Sequence, residues 1–194
     1  MRDDLSRMNH SVNQSINQSN QKKSFSMMLI FAMKKFFGTG LPWVWISILV
    51  VIIDRLSKLW VMDHLTFLKP EKITSFFNLT LAFNRGAAFS FLHDASGWQH
   101  LVLGGLAVIV SIMVLIWLAK SSFNRYWFNI ALCFILGGAV GNAIDRVLYG
   151  YVVDFFDFHW ETWHFAIFNV ADSAISVGAF MLICYWFFNK NRMI

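Results

Sequence analysis

Two aspartates, Asp154 and Asp172, bracket a segment crowded with Phe155, Phe156, Phe158, Trp160, Trp163, Phe165 and Phe168. If the chain folds back so that these carboxylates meet in a partly dry site, they cannot both ionise easily and they titrate as a unit. One keeps its proton while the other stays a base. That is the state a two-carboxylate hydrolase needs: the ionised member takes a proton from water, and the protonated member hydrogen-bonds the carbonyl under attack. Each acid could instead cap a helix or face water. Spacing alone leaves both readings open.

Amides and further charges gather near the same places in the chain: Asn84, Asn142, Asn169, Arg146, Asp145, Asp54 and Lys58. Asn142, Asp145 and Arg146 fall at i, i+3 and i+4, hence on one helical face. Asp145 beside Arg146 reads as a local ion pair, while Asn142 and Arg146 suit a polar head group or a peptide backbone. Asp54 and Lys58, at i and i+4, read as an interfacial salt bridge. Gly137 and Gly141 have the GxxxG spacing of close helix packing. His159 and His164 show no ligand spacing, and Cys133 and Cys184 form neither a CxxC pair nor a disulfide framework. No metal site is expected, and no GxSxG, HExxH or phosphate loop occurs.

The elements that must position these groups are membrane helices. Of the 194 residues, 57% are hydrophobic, 18% aromatic and only 14% charged, against roughly 25% charged in an ordinary soluble domain. That much apolar surface does not fit inside one small core. A span needs about 20 mostly apolar residues. The pattern predicts a mostly α membrane protein with four transmembrane helices, over about 41–62, 98–119, 126–146 and 169–188. Residues 1–26 read as a disordered cytoplasmic tail, and 27–194 as one membrane domain. With four spans, the side that holds both termini carries ten of the sixteen Lys and Arg but only two of the eleven acids. The positive-inside rule then puts the termini in the cytoplasm and the polar cluster at the opposite face. The basic balance is a topology signal, so no nucleic acid partner is expected. Lys72–Leu81, β-branched and aromatic, with Gly86 as a turn or bulge, predicts a small sheet on the outer surface. Tyr149–Phe168 predicts an aromatic interfacial loop. A proton-coupled transporter would also use membrane carboxylates, but near the midplane and often in repeated halves. No repeat is visible here. A non-catalytic scaffold would account for the aromatics and the glycines but not for converging Asn and Asp.

The runs VIIDRLSK (51–58), FFNLTLAFNRGAAFS (76–90), GGAVGNAIDRVLYGYVVDF (137–155) and FNVADSAISVG (168–178) together resemble signal peptidase II, the bacterial lipoprotein signal peptidase family of intramembrane aspartic peptidases. The resemblance implies four spans and catalytic aspartates at the family's VVDF and NxAD motifs, here Asp154 and Asp172. It implies a substrate-binding set of Asp54, Lys58, Asn84, Gly86, Asn142, Arg146 and Asn169. The activity implied is removal of the signal peptide from a prolipoprotein just before a cysteine carrying diacylglyceryl, with no metal or organic cofactor. Membrane lipids and a globomycin-type inhibitor are the other partners implied for a monomer in the cytoplasmic (inner) membrane with its site facing the periplasm. The sheet and the aromatic loop would form a cradle and clamp over that site. One departure stands out: where the family usually has Asp-Gln-x-Ser/Thr-Lys, this chain has Arg55 in place of Gln.

Overall fold

The computed structural model describes residues 21, 25–31, 33–86 and 99–189. Most of the tail expected over 1–26, and the 87–90 part of the NRGAAFS run, lie outside the described residues. Pro42 opens a 3-10 turn, Leu41–Val44, where its missing N–H leaves no bond unmade. Helix α1, Trp45–His64, follows directly. The other helices are α2 (Gln99–Lys120), α3 (Tyr126–Tyr149) and α4 (Val170–Asn189). Each helix falls within a few residues of one of the apolar runs, except that α1 begins only after the proline turn.

Among the described residues, three helices are long and apolar enough to cross a membrane: Leu101–Lys120, Tyr126–Tyr149 and Val170–Asn189. The fourth, α1, has the length but carries Asp54, Arg55, Lys58 and Asp63. Its amphipathicity is inverted. Ser47, Asp54 and Lys58 are buried, with Val50 and Val61 on the same stripe, while Ile48, Leu49, Ile52, Ile53, Leu56 and Leu59 are exposed. A helix that buries Asp54 and Lys58 in mid-length and shows its leucines suits an apolar surround.

Helix α3 is the centre, packing against α1, α2 and α4. The GxxxG spacing does serve close approach: a Cβ on Gly137 would sit 2.7 Å from Val50 Cβ, and one on Gly141 2.7 Å from Asp54 Oδ2, both on α1. Val114 and Leu118 of α2 meet Leu132, Cys133 and Leu136 of α3 in one buried cluster.

At the other end of the bundle lies a four-stranded antiparallel sheet in the order β1-β2-β3-β4. Its strands are β1 (Glu71–Lys72), β2 (Phe77–Asn84), β3 (Val152–Trp160) and β4 (Trp163–His164). The expected strand in the first segment is present, shifted towards Asn84. The expected aromatic loop is a correction: its first half is the nine-residue strand β3, which pairs with β2 from Phe77↔Phe158 to Asn84↔Val152. Val152, Val153, Asp154 and Phe155 are all buried. A strand covered on both faces reads as an unbroken apolar run rather than an alternation, which conceals it in the sequence. Val61 of α1 and Leu65 just after it pack on Leu81, Val153 and Phe155, docking the sheet on the helical bundle.

Candidate active site

Asp154 is delivered by the turn out of α3. That helix ends at Gly150, whose φ of 75° is left-handed and whose N–H donates to the Arg146 carbonyl at 3.1 Å, a helix stop that glycine takes without a Cβ penalty. The chain then reverses into β3. Ala82 lies opposite Asp154 and Asn84 opposite Val152, so Asn84 is the diagonal neighbour of Asp154 on the same face. Its Nδ2 donates to Asp154 Oδ2 at 3.0 Å. The direction of that amide is set locally: Asn84 Oδ1 accepts the Gly86 N–H at 2.9 Å, with Gly86 at φ 112°. The turn expected at Gly86 therefore aims Asn84.

Asp172 is delivered by a helix start. Asn169 precedes α4, its Oδ1 accepts the Asp172 N–H at 2.9 Å, and the Asp172 carboxylate accepts the Asn169 N–H at 3.3 Å. This is a reciprocal capping box. The capping role left open for Asp172 is real, and it does not exclude chemistry. The half-buried side chain also accepts a hydrogen bond from Asn142 Nδ2 at 2.7 Å through its other oxygen.

Two amides bridge the aspartates. Asn142 Oδ1 accepts from Asn169 Nδ2 at 3.2 Å, and Asn169 Nδ2 also lies 2.7 Å from Asp154 Oδ1. Asn169 is fully buried and Asn142 nearly so. Asp154 is 2% exposed. Burial first, then the charge of Asp172, pushes the Asp154 carboxyl up to about 7, against the pull of the Asn84 and Asn169 amides. Arg146 is half-buried, feels both Asp172 and Asp154, and donates one bond to the Asn142 carbonyl at 3.1 Å.

Beneath this constellation lies a buried ion cluster. Lys58 Nζ is 2.8 Å from Asp54 Oδ2, 2.8 Å from Asp145 Oδ2 and 3.1 Å from Asn142 Oδ1. Asp54, Lys58 and Asp145 have fully buried side chains. The Asp54–Lys58 pair expected at the interface does form, but inside the protein. Asp54 and Lys58, expected among the substrate-binding residues, turn their charged groups to protein partners and present no surface outward.

Asp145 is a correction. It pairs with Arg55 and Lys58, not with its neighbour Arg146. Consecutive helix residues point in different directions, so adjacency in sequence does not make a pair. Arg55, singled out only as a departure from the family motif, also reaches the Tyr149 hydroxyl at 3.1 Å and lies over that ring.

Sequence reasoning missed Asp157. It is 2% exposed on β3 and accepts from Thr80 Oγ1 at 2.8 Å and Asn78 Nδ2 at 3.4 Å, with His164 Nδ1 at 2.8 Å. Burial works against its ionisation, but the His164, Thr80 and Asn78 hydrogen bonds outweigh it and hold this carboxyl below the usual range. The alternation Asn78, Thr80 along β2 is a signal that could have been read. Among the described residues, no group of three or more His, Cys, Asp or Glu is arranged to hold a metal ion.

Comparison with known proteins identifies the family. Residues 46–188 match the family model described as signal peptidase (SPase) II. The chain is 47% identical over 154 residues to the lipoprotein signal peptidase of Tolumonas auensis, covering 79% of this chain and 94% of that one. It is 49% identical over 144 residues to that of Coxiella burnetii, covering 74% and 88%. Two solved structures of a bacterial membrane enzyme, obtained by the in meso method at 2.3 and 1.9 Å, superpose with TM-scores of 0.69 and 0.66 at 29% and 30% identity. They cover 78% and 74% of this chain and 90% and 91% of theirs.

Proposed function

The chain belongs to the signal peptidase II family, and we propose that it removes signal peptides from prolipoproteins by a two-aspartate mechanism centred on Asp154 and Asp172. The observation that carries the mechanism is the pair itself: two carboxyl groups from different elements, joined through Asn142 and Asn169, with the Asp154 carboxyl raised to about 7. We assign the pair's proton to the buried Asp154 and the role of base to the half-buried Asp172.

In the first step Asp172 takes a proton from water, and the water oxygen bonds to the scissile carbonyl carbon. Asp154 donates its proton to the carbonyl oxygen. In the second step the tetrahedral intermediate collapses: Asp154 recovers its proton, Asp172 passes its own to the leaving amide nitrogen, and the C–N bond breaks. The bond cut is the one before a cysteine carrying diacylglyceryl, whose acyl chains remain in the bilayer. Asn84, Gly86 and Arg146 line the approach to the pair and hold substrate backbone and head group. Asn142 and Asn169 hold the aspartates. A globomycin-type lipopeptide would compete for the same cleft.

The exposed apolar face of α1 supports a fourth span, giving a monomer in the bacterial inner membrane with both termini cytoplasmic and the aspartates at the outer interface. The exposed Phe158, Trp160 and Trp163 of the sheet, and Phe165 just after it, suit that interface.

The deciding experiment is release of signal peptide from a purified lipidated prolipoprotein by the wild type, D154N and D172N. Neither variant is expected to turn over, because Asn keeps the size of the side chain and deletes its titration. Substantial cleavage by either, at normal protein level, would refute the pair.

A further inference from the structure

Resting on the two-aspartate reading, we propose that Lys58 is a positioning residue for both aspartates, acting through the buried carboxylates Asp54 and Asp145 and the amide of Asn142. Each of those carboxylates grips the backbone one residue ahead of an aspartate. Asp54 Oδ1 accepts the Ala171 N–H at 2.9 Å, immediately before Asp172. Asp145 Oδ2 accepts the Val153 N–H at 3.2 Å, immediately before Asp154. The Lys58 ammonium sits between the two carboxylates at 2.8 Å from each. One side chain therefore ties the start of α4 to the start of β3.

Its third contact orients an amide. The two ends of an Asn side chain are nearly alike in shape, so something must choose which end faces Asp172. An ammonium only donates. Together with the Asn169 Nδ2, which reaches the same oxygen at 3.2 Å, it claims Asn142 Oδ1 at 3.1 Å and leaves Nδ2 to donate to the Asp172 carboxylate at 2.7 Å. Reversed, that amide would set an oxygen against a carboxylate oxygen.

The charges around Lys58 come from every neighbouring element: Asp54 and Arg55 on α1, Asp145 and Arg146 on α3, Asp154 on β3 and Asp172 on α4. Within the cluster, Lys58 and Arg55 balance Asp54 and Asp145. A buried lysine among balanced charges serves folding as well, so stability alone cannot test its role.

The test compares wild type, K58M and K58M/D54N for kcat, KM, pH profile and thermal stability on a lipidated prolipoprotein. K58M leaves two buried carboxylates facing one cation. The double variant restores the charge balance, keeps the Arg55–Asp145 pair and keeps an oxygen for the Ala171 N–H, but leaves the Asn142 oxygen to the Asn169 amide alone. Expected for K58M is a kcat lower by about 10- to 100-fold, the scale of small misplacements of reacting groups, with KM near wild type. Its upper pH limb should also lie higher, because the Lys58 charge favours the ionised form of Asp154. In the double variant, stability should recover and kcat should not. A wild-type kcat and pH profile in K58M would overturn the proposal. So would a rise in KM alone, or recovery of rate together with stability in the double variant. If K58M does not fold, the double variant carries the comparison. D154N and D172N in the same assay separate the two ideas: their inactivity beside a fully active K58M leaves the aspartate pair standing and removes only the role of Lys58.

Discussion

Replacing Asn84 by alanine should move the upper limb of the pH–rate profile to higher pH, even as the rate falls. Asp154 holds its proton up to about 7, and the Asn84 hydrogen bond is one of the contacts that pull this value down. Deleting the bond takes away an interaction made preferentially with the ionised carboxylate. Asp154 is 2% exposed, so little water is at hand to replace it. A hydrogen bond to a charged group contributes about 1.5–3 kcal/mol. At about 1.36 kcal/mol per pH unit, the limb should rise by about one to two units. The profile of kcat/KM is the one to record, since it reports the groups of the free enzyme. The assay is release of signal peptide from a lipidated prolipoprotein across the neutral to alkaline range. N84A should lose rate at its own optimum, yet at alkaline pH retain a larger share of that optimum than wild type does. A limb left at the wild-type position would refute the reasoning, since Asn84 would then not touch the group that sets it. A limb moved to lower pH would mean that the amide favours the protonated form, and the roles assigned to the two aspartates would have to be exchanged.

Arg55→Gln restores the residue usual in the family motif but removes a cation from the buried cluster, leaving Asp54 and Asp145 against Lys58 alone. Its side chain is 18% exposed, so the loss should fall at the lower end of the about 3–5 kcal/mol typical of a broken buried pair, read as a lowered Tm; an unchanged Tm would show that Arg55 contributes no net stability. For topology, single cysteines replacing Arg125 and Trp160, in a background lacking Cys133 and Cys184, should label from opposite sides of the membrane. Labelling of position 125 from outside would sink the four-span arrangement.

The buried polar network bears on how such a site survives in an apolar surround. Every carboxylate in it is tied to a backbone N–H, an amide or a cation from another element: Asp54 to Ala171, Asp145 to Val153, Asp154 to Asn84 and Asn169, and Asp172 to Asn142. A charge left without such partners in a low-dielectric site would neutralise or expel its helix. The contacts that make the site tolerable are also those that hold its geometry.

Much of this protein could be read from residue order alone, because the signals involved are local. Long uncharged runs mark α2, α3 and α4. The Gly137–Gly141 spacing marks a close helix contact, and the Asn169-x-x-Asp172 spacing marks a helix start. Glycine after Asn84 marks a turn. Each of these depends on residues within a few positions of one another, where backbone geometry leaves few choices. Other features depend on partners far away in the chain, and only packing selects those. Val152–Trp160 is a strand because β2 lies beside it, and the burial of its first residues, Val152–Phe155, on both faces erases the alternation that would have announced it. Asp145 turns to Arg55 and Lys58 on another helix rather than to Arg146, because consecutive residues diverge around a helix. Lys58 is enclosed rather than interfacial because α1 meets α3 where Gly141 leaves room for the Asp54 carboxylate. The direction of the Asn142 amide, on which Asp172 depends, is set by two donors far from it in the chain, the Lys58 ammonium and the Asn169 amide, which take its oxygen.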